Sequence, residues 1–473
     1  MSSSSSDSTP TRYSIIDVND SLIARGAFGH VDIALLSTSS SSLDTTHTNN
    51  VQSLSLAAIK TIPNATTINS TLTREAFAEL NALRLLNGHE NVTSLLGYYG
   101  GSQSTSSGFG GSGWDWAEGS SAVQTSSSSL CLVFPYHPVD LADALNYRRL
   151  KSFSNGAPYH TFHLPPLVIQ SIIYDVLSGL KHIHEHYILH RDIKPGNLYI
   201  TKGGRIQIGD FGLAKAVPPS IQDKSSQTKD KKSNDDMKVE TYQSEPNVTQ
   251  GLCTLQYRPP ELLLGGTGII IHQSDTNGDD DGVNGALDIW SAGCIFVELL
   301  TLSGPLFPGQ SVLDQLGRIF HILGTPTNDT WPGVNDLPDW NKIRFDSMTG
   351  SGIQEKIVKK DVWNNAEDLI SKVLSLDPLK RPSAKQCLID LQLDDSERAT
   401  AQQRVVGELI PSTLNIANPI YFSPTTSNEI KSTPQDYAKQ YASNLASTRR
   451  SFPQSIEDDS KRVDNERWKC SAR

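Results

Sequence analysis

The chain has 473 residues, enough for two or three domains, and an ordinary composition of 37% hydrophobic and 19% charged residues. A formal net charge of −10 argues against a nucleic-acid binder that works by bulk charge, and no apolar run approaches the roughly 18 residues of a membrane span. The N-terminal MSSSSSDSTP lacks the apolar core of a secretory signal, and Cys131, Cys253, Cys294, Cys387 and Cys470 lack paired spacing, so they read as reduced thiols of an intracellular protein.

Residues 13–36 read as strand, glycine-containing turn, strand, with the turn at Ala24-Arg25-Gly26-Ala27-Phe28-Gly29. Residues 37–53 are rich in Ser, Thr and Asn and predict a flexible insertion. Leu56-Ala57-Ala58-Ile59-Lys60 then reads as a strand ending in lysine. Residues 70–86 predict a helix whose apolar Phe77, Leu80, Leu83 and Leu86 recur at three-residue spacing. A Gly/Ser-rich stretch, 100–129, predicts a second insertion before the buried strand Leu130-Cys131-Leu132-Val133-Phe134. Residues 166–187 form a long helix with a core stripe of Ile169, Ile172, Ile173, Val176, Leu180 and Ile183. Its His182, His184 and His186 alternate, so they do not face one another as metal ligands would.

The most informative stretch is 188–212, ILHRDIKPGNLYITKGGRIQIGDFG. It holds His190-Arg191-Asp192, then Lys194 and Asn197, and further on Asp210-Phe211-Gly212. Two ordered motifs at this spacing resemble the eukaryotic protein kinase family over about residues 13–390. The residue types suit the chemistry. A hydroxyl attacking a γ-phosphate needs a carboxylate near its proton, which is Asp192, and magnesium needs hard oxygen ligands, which Asn197 and Asp210 supply. Lys194 would stabilise charge on the transferred group and is typical of Ser/Thr kinases.

The resemblance implies ATP and Mg2+ as cofactors. Its nucleotide site would draw on Ile23, Ala24, Arg25, Gly26, Ala27, Phe28, Gly29 and Val31 of the glycine loop, where Ala24 replaces the usual first glycine. Ala58, Lys60, the gatekeeper Phe134, the hinge residues Tyr136 and His137, and Tyr199 beneath adenine would complete it. The His137 side chain reads as solvent-facing. Lys60 would pair with a helix glutamate. Glu75 and Glu79 compete for that role, and the ungapped register to His89 favours Glu79. Thr249 falls at an activation-segment phosphosite, inside a segment lengthened over 216–246. Thr254 would bridge Asp192 and Lys194, and Arg258 falls at the position associated with proline after the acceptor residue. Glu261 would pair with Arg381.

Asn277, Asp279, Asp281, Gly282 and Asp288 imitate a calcium loop, but Asn284 stands where an apolar residue belongs. The better assignment puts Asp288 in the helix Asp288-Ile289-Trp290-Ser291, tying down the catalytic-loop backbone, and leaves 266–284 as an acidic insertion.

Residues 305–333 resemble the insert of the cyclin-dependent branch. The expected fold class is therefore α+β: a two-lobed kinase with a small lobe of five antiparallel strands and one αC helix (13–136) and a larger, mainly helical lobe (137–390). It would be flanked by a disordered N-terminus (1–12) and a largely disordered tail (391–473). The expected activity is proline-directed Ser/Thr phosphorylation in cell-cycle or transcription control. Expected partners are proteins bearing Ser/Thr-Pro sites, with a cyclin left open, and neither nucleic acid nor membrane. Localisation stays open between nucleus and cytoplasm. Two rivals are a mitogen-activated-type kinase, which expects a Tyr that Thr249-Gln250-Gly251 lacks, and a catalytically weak scaffold, motivated by Ala24 and Tyr199.

Overall fold

The structure is a computed structural model. It describes residues 12–16, 21–26, 29–39, 53–65, 72–101, 129–154, 163–217, 253–266, 285–355, 366–391, 393–411 and 434–451. The chain divides into two compact units, residues 1–80, 94–138 and 412–452, and residues 81–93, 139–411 and 453–473.

In the first unit, β1 (Arg12–Ile16), β2 (Leu22–Gly26), β3 (Gly29–Ser39), β4 (Ser53–Ile62), β5 (Gly97–Gly101) and β6 (Ser129–Pro135) form one antiparallel sheet. Its order is β1-β3-β4-β6-β5, with β2 also paired to β3. The sequence led us to expect five strands. β1 and β2 lie along one edge of β3, pairing Leu35 to Ser39 and Gly29 to Asp32 respectively, so six strands occupy five lines. β3 and β4 reach Ser39 and Ser53, into both ends of the expected 37–53 insertion.

Opposite residues of an antiparallel pair share a face, and alternate residues return to it. Lys60 pairs with Val31 and Leu132, and Ala58 with Ile33 and Phe134. These six residues therefore share one face. Ala34, Leu36, Ala57, Ile59, Cys131 and Val133 bury themselves on the other.

Helix α1 (Arg74–Leu85) starts where the Thr73 hydroxyl accepts from the Ala76 amide at 3.3 Å. Phe77 corrects the sequence reading: it is 59% exposed, whereas Leu80, Leu83 and Leu86 are buried. A strict three-residue step drifts about 60° per step on a helix with 3.6 residues per turn, so Phe77 lands opposite Leu86. Ala76 and Glu79 are buried instead.

The second unit is mainly helical: α2 (Leu141–Ser154), α3 (Pro166–Glu185), α4 (Pro260–Leu263), α5 (Ala286–Thr301), α6 (Val312–Leu323), α7 (Ala366–Val373), α8 (Ala384–Leu391) and α9 (Asp395–Leu409). Its short strands β7 (Val139–Asp140), β8 (Ile188–Leu189), β9 (Leu198–Ile200), β10 (Ile206–Ile208) and β11 (Lys215–Ala216) make the sheets β10-β9-β7 and β11-β8. α5 is buried on every side from Ala286 to Leu300, as its nearly unbroken apolar sequence requires, and its Trp290 stacks on Phe307. α3 starts with Pro166 in its first turn and buries the predicted stripe.

The tail assignment for 391–473 needs correction. Asp394 and Glu397 form a capping box that starts α9, and Ala401, Val405 and Leu409, spaced by four, are buried. α9 packs on α2 and α3, with Arg148 on Glu408 at 3.1 Å and Arg398 over the Tyr174 ring. A further helix, α10 (Pro434–Ser451), belongs to the first unit and lies against β2 and β3. Polar average composition hid both helices, because three small or aliphatic residues per helix suffice when a neighbour covers them.

Asp175 of α3 is buried, and its Oδ2 accepts from the Ile206 amide at 2.9 Å. Burial pushes its pKa up to about 6, against the opposing influence of the Ile206 amide, Asn91, Arg205 and Arg398. Because the folded value exceeds the unfolded one, this carboxyl favours folding below about pH 4 and loses that contribution as pH rises through about 6. Asp175→Asn keeps an oxygen for Ile206 but cannot ionise. Urea unfolding should find the variant gaining on the order of 2 kcal/mol relative to the parent between about pH 4.5 and 7.5. An equal difference at both pH values would refute this.

Candidate active site

The loop after β8 converges on one carboxylate. Asp192 is buried. Its Oδ1 accepts from the Thr254 amide at 3.1 Å and the Thr254 hydroxyl at 2.9 Å. Its Oδ2 accepts from Lys194 Nζ at 2.8 Å and Asn197 Nδ2 at 3.1 Å. Lys194 also donates to Thr254 Oγ1 at 3.2 Å. The structure thus brings together Asp192, Lys194, Asn197 and Thr254, with donors fixing both carboxylate oxygens.

Three backbone constraints hold this loop. Asp288 in the first turn of α5 has no exposure, and it accepts from the amides of His190 at 2.9 Å and Arg191 at 2.8 Å and faces His184 Nε2 at 3.0 Å. Burial resists its ionisation, yet the His184 imidazole and the His190 amide outweigh that and hold its pKa below the usual carboxylate value. Arg191 sits at φ 66°, a conformation that costs a non-glycine residue energy, and its Nε donates to the Leu213 carbonyl at 2.7 Å. His190 accepts at Nδ1 from the Asp192 amide and faces the Gly209 carbonyl with Nε2 at 3.0 Å, which makes Nε2 the protonated nitrogen of a neutral ring.

The Gly209 amide in turn donates to the Asn197 carbonyl at 3.0 Å, which brings the chain at Asp210 alongside Asn197. Asp210 is half-buried at φ 60°, and Phe211 behind it is fully buried with its edge on the His190 ring. Asn197 uses its amide nitrogen on the Asp192 carbonyl at 2.8 Å, so its side-chain oxygen remains the acceptor. Two hard oxygen donors, from Asn197 and Asp210, suit Mg2+.

The segment around Asp192's partner Thr254 is also fixed. Cys253 adopts φ 64°, and its carbonyl accepts from Arg258 Nη2 at 2.7 Å and Nε at 3.3 Å. The Ser291 hydroxyl donates to the Tyr257 carbonyl at 2.8 Å, and Tyr257 Oη donates to Glu298, which also pairs with Arg149 at 2.7 Å. Glu261 and Arg381 form a buried bidentate pair with both contacts at 2.7 Å. Arg381 further donates to the carbonyls of Ala286 and Ser375 and lies over the Trp290 ring.

The first unit carries a separate set. Lys60 Nζ donates to Glu79 Oε1 at 2.7 Å, while Glu75 is exposed, so Glu79 and not Glu75 reaches the lysine. Ile23, Val31, Ala58 and Phe134 are half-buried, whereas Ala24 and Arg25 are exposed. Gly26 pairs with Gly29 across the hairpin. Gly29 lies at φ 141°, and a Cβ there would fall 1.9 Å from the Thr61 carbonyl oxygen, so no other residue fits. Tyr136 is buried. His137 corrects the solvent-facing expectation: it is half-buried, and burial pushes its pKa down to about 4. Ala27, Phe28 and Thr249 lie outside the described residues, as do most of the 100–129, 216–246 and 266–284 stretches.

Sequence reasoning missed two supports. Gly209 leaves room for the half-buried Tyr199, since a Cβ would sit 2.5 Å from the tyrosine ring. The bulky residue and the glycine are thus one feature. His184, set aside with its neighbours, partners Asp288, and Gly285 provides its cradle, with a Cβ there 1.8 Å from the imidazole. His182 instead stacks on His89 and also meets the ring of His186 at 4.3 Å between centroids, which corrects the sequence reading: residues four apart on a helix do share a face.

The protein kinase domain family matches residues 44–391, and the chain belongs to that family. Within it, the chain is similar to cyclin-dependent kinase 14 of Homo sapiens, Mus musculus and Oryctolagus cuniculus. Each is 36% identical over 263 residues, which are 55% of this chain and 45% of the relative. The chain spans about half the length of these curated relatives.

Removing one partner of the Glu261–Arg381 pair leaves a charge buried without its counterpart. Glu261→Gln should cost about 3–5 kcal/mol in chemical denaturation. A loss within 0.5 kcal/mol, the range of ordinary surface substitutions, would contradict the structural role.

Proposed function

We propose that the chain is an ATP-dependent protein serine/threonine kinase of the cyclin-dependent type, acting on residues followed by proline. The observation that carries this reading is the four-donor arrangement around Asp192. It orients one carboxylate for the proton of an incoming hydroxyl and sets Lys194 beside it, next to where charge would develop on the transferred phosphoryl group. Asn197 and Asp210 would hold Mg2+, which when bound neutralises phosphate charge. Lys60, held by Glu79, would orient the nucleotide phosphates. Ala24 weakens the glycine loop's likeness to the family, but Gly29 keeps the close backbone turn, and Gly209 accommodates Tyr199.

Asp192→Asn and Lys60→Met should each reduce phosphoryl transfer to a generic Ser/Thr-Pro peptide by at least about 100-fold while leaving the fold intact, with a lowered melting temperature where Lys60→Met leaves Glu79 buried without its partner. Near-parental turnover by either variant would sink the assignment.

Preference for proline rests on Cys253 and Arg258. The Cys253 carbonyl is already taken by the Arg258 guanidinium. It is therefore closed as an acceptor for the backbone N–H of the residue following the phosphorylated one. An ordinary residue there would lose a hydrogen bond, about 1 kcal/mol, while proline has no N–H to lose. A degenerate peptide library should show enrichment of proline directly after the acceptor, and Arg258→Ala should relax it. A library phosphorylated without that enrichment rules the preference out.

A cyclin-like protein is the partner class we propose, because α1 presents Phe77 to solvent, 59% exposed on the helix that carries Glu79. Phe77→Glu should abolish cyclin-dependent stimulation while sparing the unstimulated rate. Equal stimulation of both proteins would exclude α1 as the docking element.

A further inference from the structure

Helix α10 lies far along the chain from the sheet it covers. Ala442, Leu445 and Ala446 are buried on one helical face and pack with Ile33, Leu35 and Tyr136. Tyr441, Ile23 and Leu56 close the edge of the cluster. The register decides which side of the sheet this is. Leu35 pairs with Leu56, Ile33 with Ala58, and Val31 with Lys60, so α10 sits on the Lys60 face. The other face is closed by Ala34, Leu36, Ala57 and Ile59.

The helix covers only part of that face. Ile33 and Leu35 are buried beneath it, while Val31, Ala58 and Lys60 remain half-buried. The covered cluster nevertheless includes Ile23 at the root of the glycine hairpin and Tyr136 in the hinge, two of the positions assigned to the nucleotide. Ala442 and Ala446 bring the helix backbone close, which leaves little slack between α10 and β3.

On the kinase reading above, we propose that α10 is a positioning element for the nucleotide. It is a built-in wall that holds Ile23 and Tyr136 in their binding arrangement and stops short of the phosphate-side residues. Leu445 acts through Ile33 and Tyr136 rather than by touching the nucleotide. Without the wall, Ile33 and Leu35 would lie open to water, and the β2–β3 hairpin and hinge would occupy the binding-competent arrangement for a smaller fraction of the time. The apparent nucleotide affinity would fall by that fraction.

The test uses the full chain and a fluorescent ATP analogue with Mg2+, read alongside steady-state kinetics. Leu445→Ala and Leu445→Glu should raise the analogue's Kd and the KM for ATP, by about tenfold for the charged variant, with the KM for peptide unchanged and kcat within about twofold. Leu445→Met should restore the parental value, and Asn444→Lys, on the exposed side of α10, should bind as the parent does. Melting without nucleotide identifies any variant that simply unfolds, and Leu445→Ala, the milder change, then carries the test. Unchanged nucleotide affinity in a folded Leu445 variant overturns the proposal. So does tighter binding, which would make α10 a plug. A parent protein that binds no nucleotide defeats the kinase reading and this inference together, whereas a parent that binds alongside indifferent Leu445 variants defeats the inference alone.

Discussion

Asp288 is a carboxylate with no contact with water, and everything that happens at Asp192 depends on it. Its two oxygens take up the His190 and Arg191 amides, which in the bend of the catalytic loop have no sheet or helix partner of their own. That arrangement lets Arg191 persist at φ 66°, and the turn it makes carries Asp192 to Thr254, Lys194 and Asn197. His190 extends the constraint to Gly209 and so to the chain at Asp210. A single buried anion at the start of α5 thus fixes Asp192 and, through His190 and Gly209, the chain at Asn197 and Asp210 as one object. The helix itself contributes, since its N-terminal amides favour negative charge in the first turn.

The first unit solves a different problem. A lysine on an open sheet face must be held in place without being fully desolvated. Glu79 does this from α1 at 2.7 Å, with Lys60 half-buried and Glu79 buried. The sheet's two faces divide the labour: one is closed by aliphatic side chains, and the other carries the lysine and, further along, the seat of α10.

Much of this was legible in the sequence because local chemistry dictated it. His190-Arg191-Asp192, Asn197 and Asp210-Phe211-Gly212 could be read directly, and the ungapped register to His89 favoured Glu79 over Glu75. The buried stripe of α3 followed from its 3.6-residue period. What escaped were features that only tertiary contact creates. Phe77 looked like core because a three-residue spacing resembles a helical stripe over one turn and departs from it over three. Tyr199 looked anomalous until Gly209 proved to be its counterpart in space. His137 carries no local signal of its burial. α9 and α10 have the composition of a solvated tail, and only the neighbours that cover Val405, Leu409 and Leu445 give those residues a reason to order the chain.

The claim that Asp288 organises the catalytic loop is tested most directly by amide hydrogen exchange in Asp288→Asn. The amide group of the variant presents a donor where the parent presents an acceptor to His190 N–H and His184. The account predicts that the His190 and Arg191 amides lose protection by at least about 100-fold, that phosphoryl transfer, on the proposed kinase reading, falls with them, and that amide protection in the sheet strand carrying Lys60 is unaffected. Unchanged protection at these two amides, with parental turnover, would contradict it.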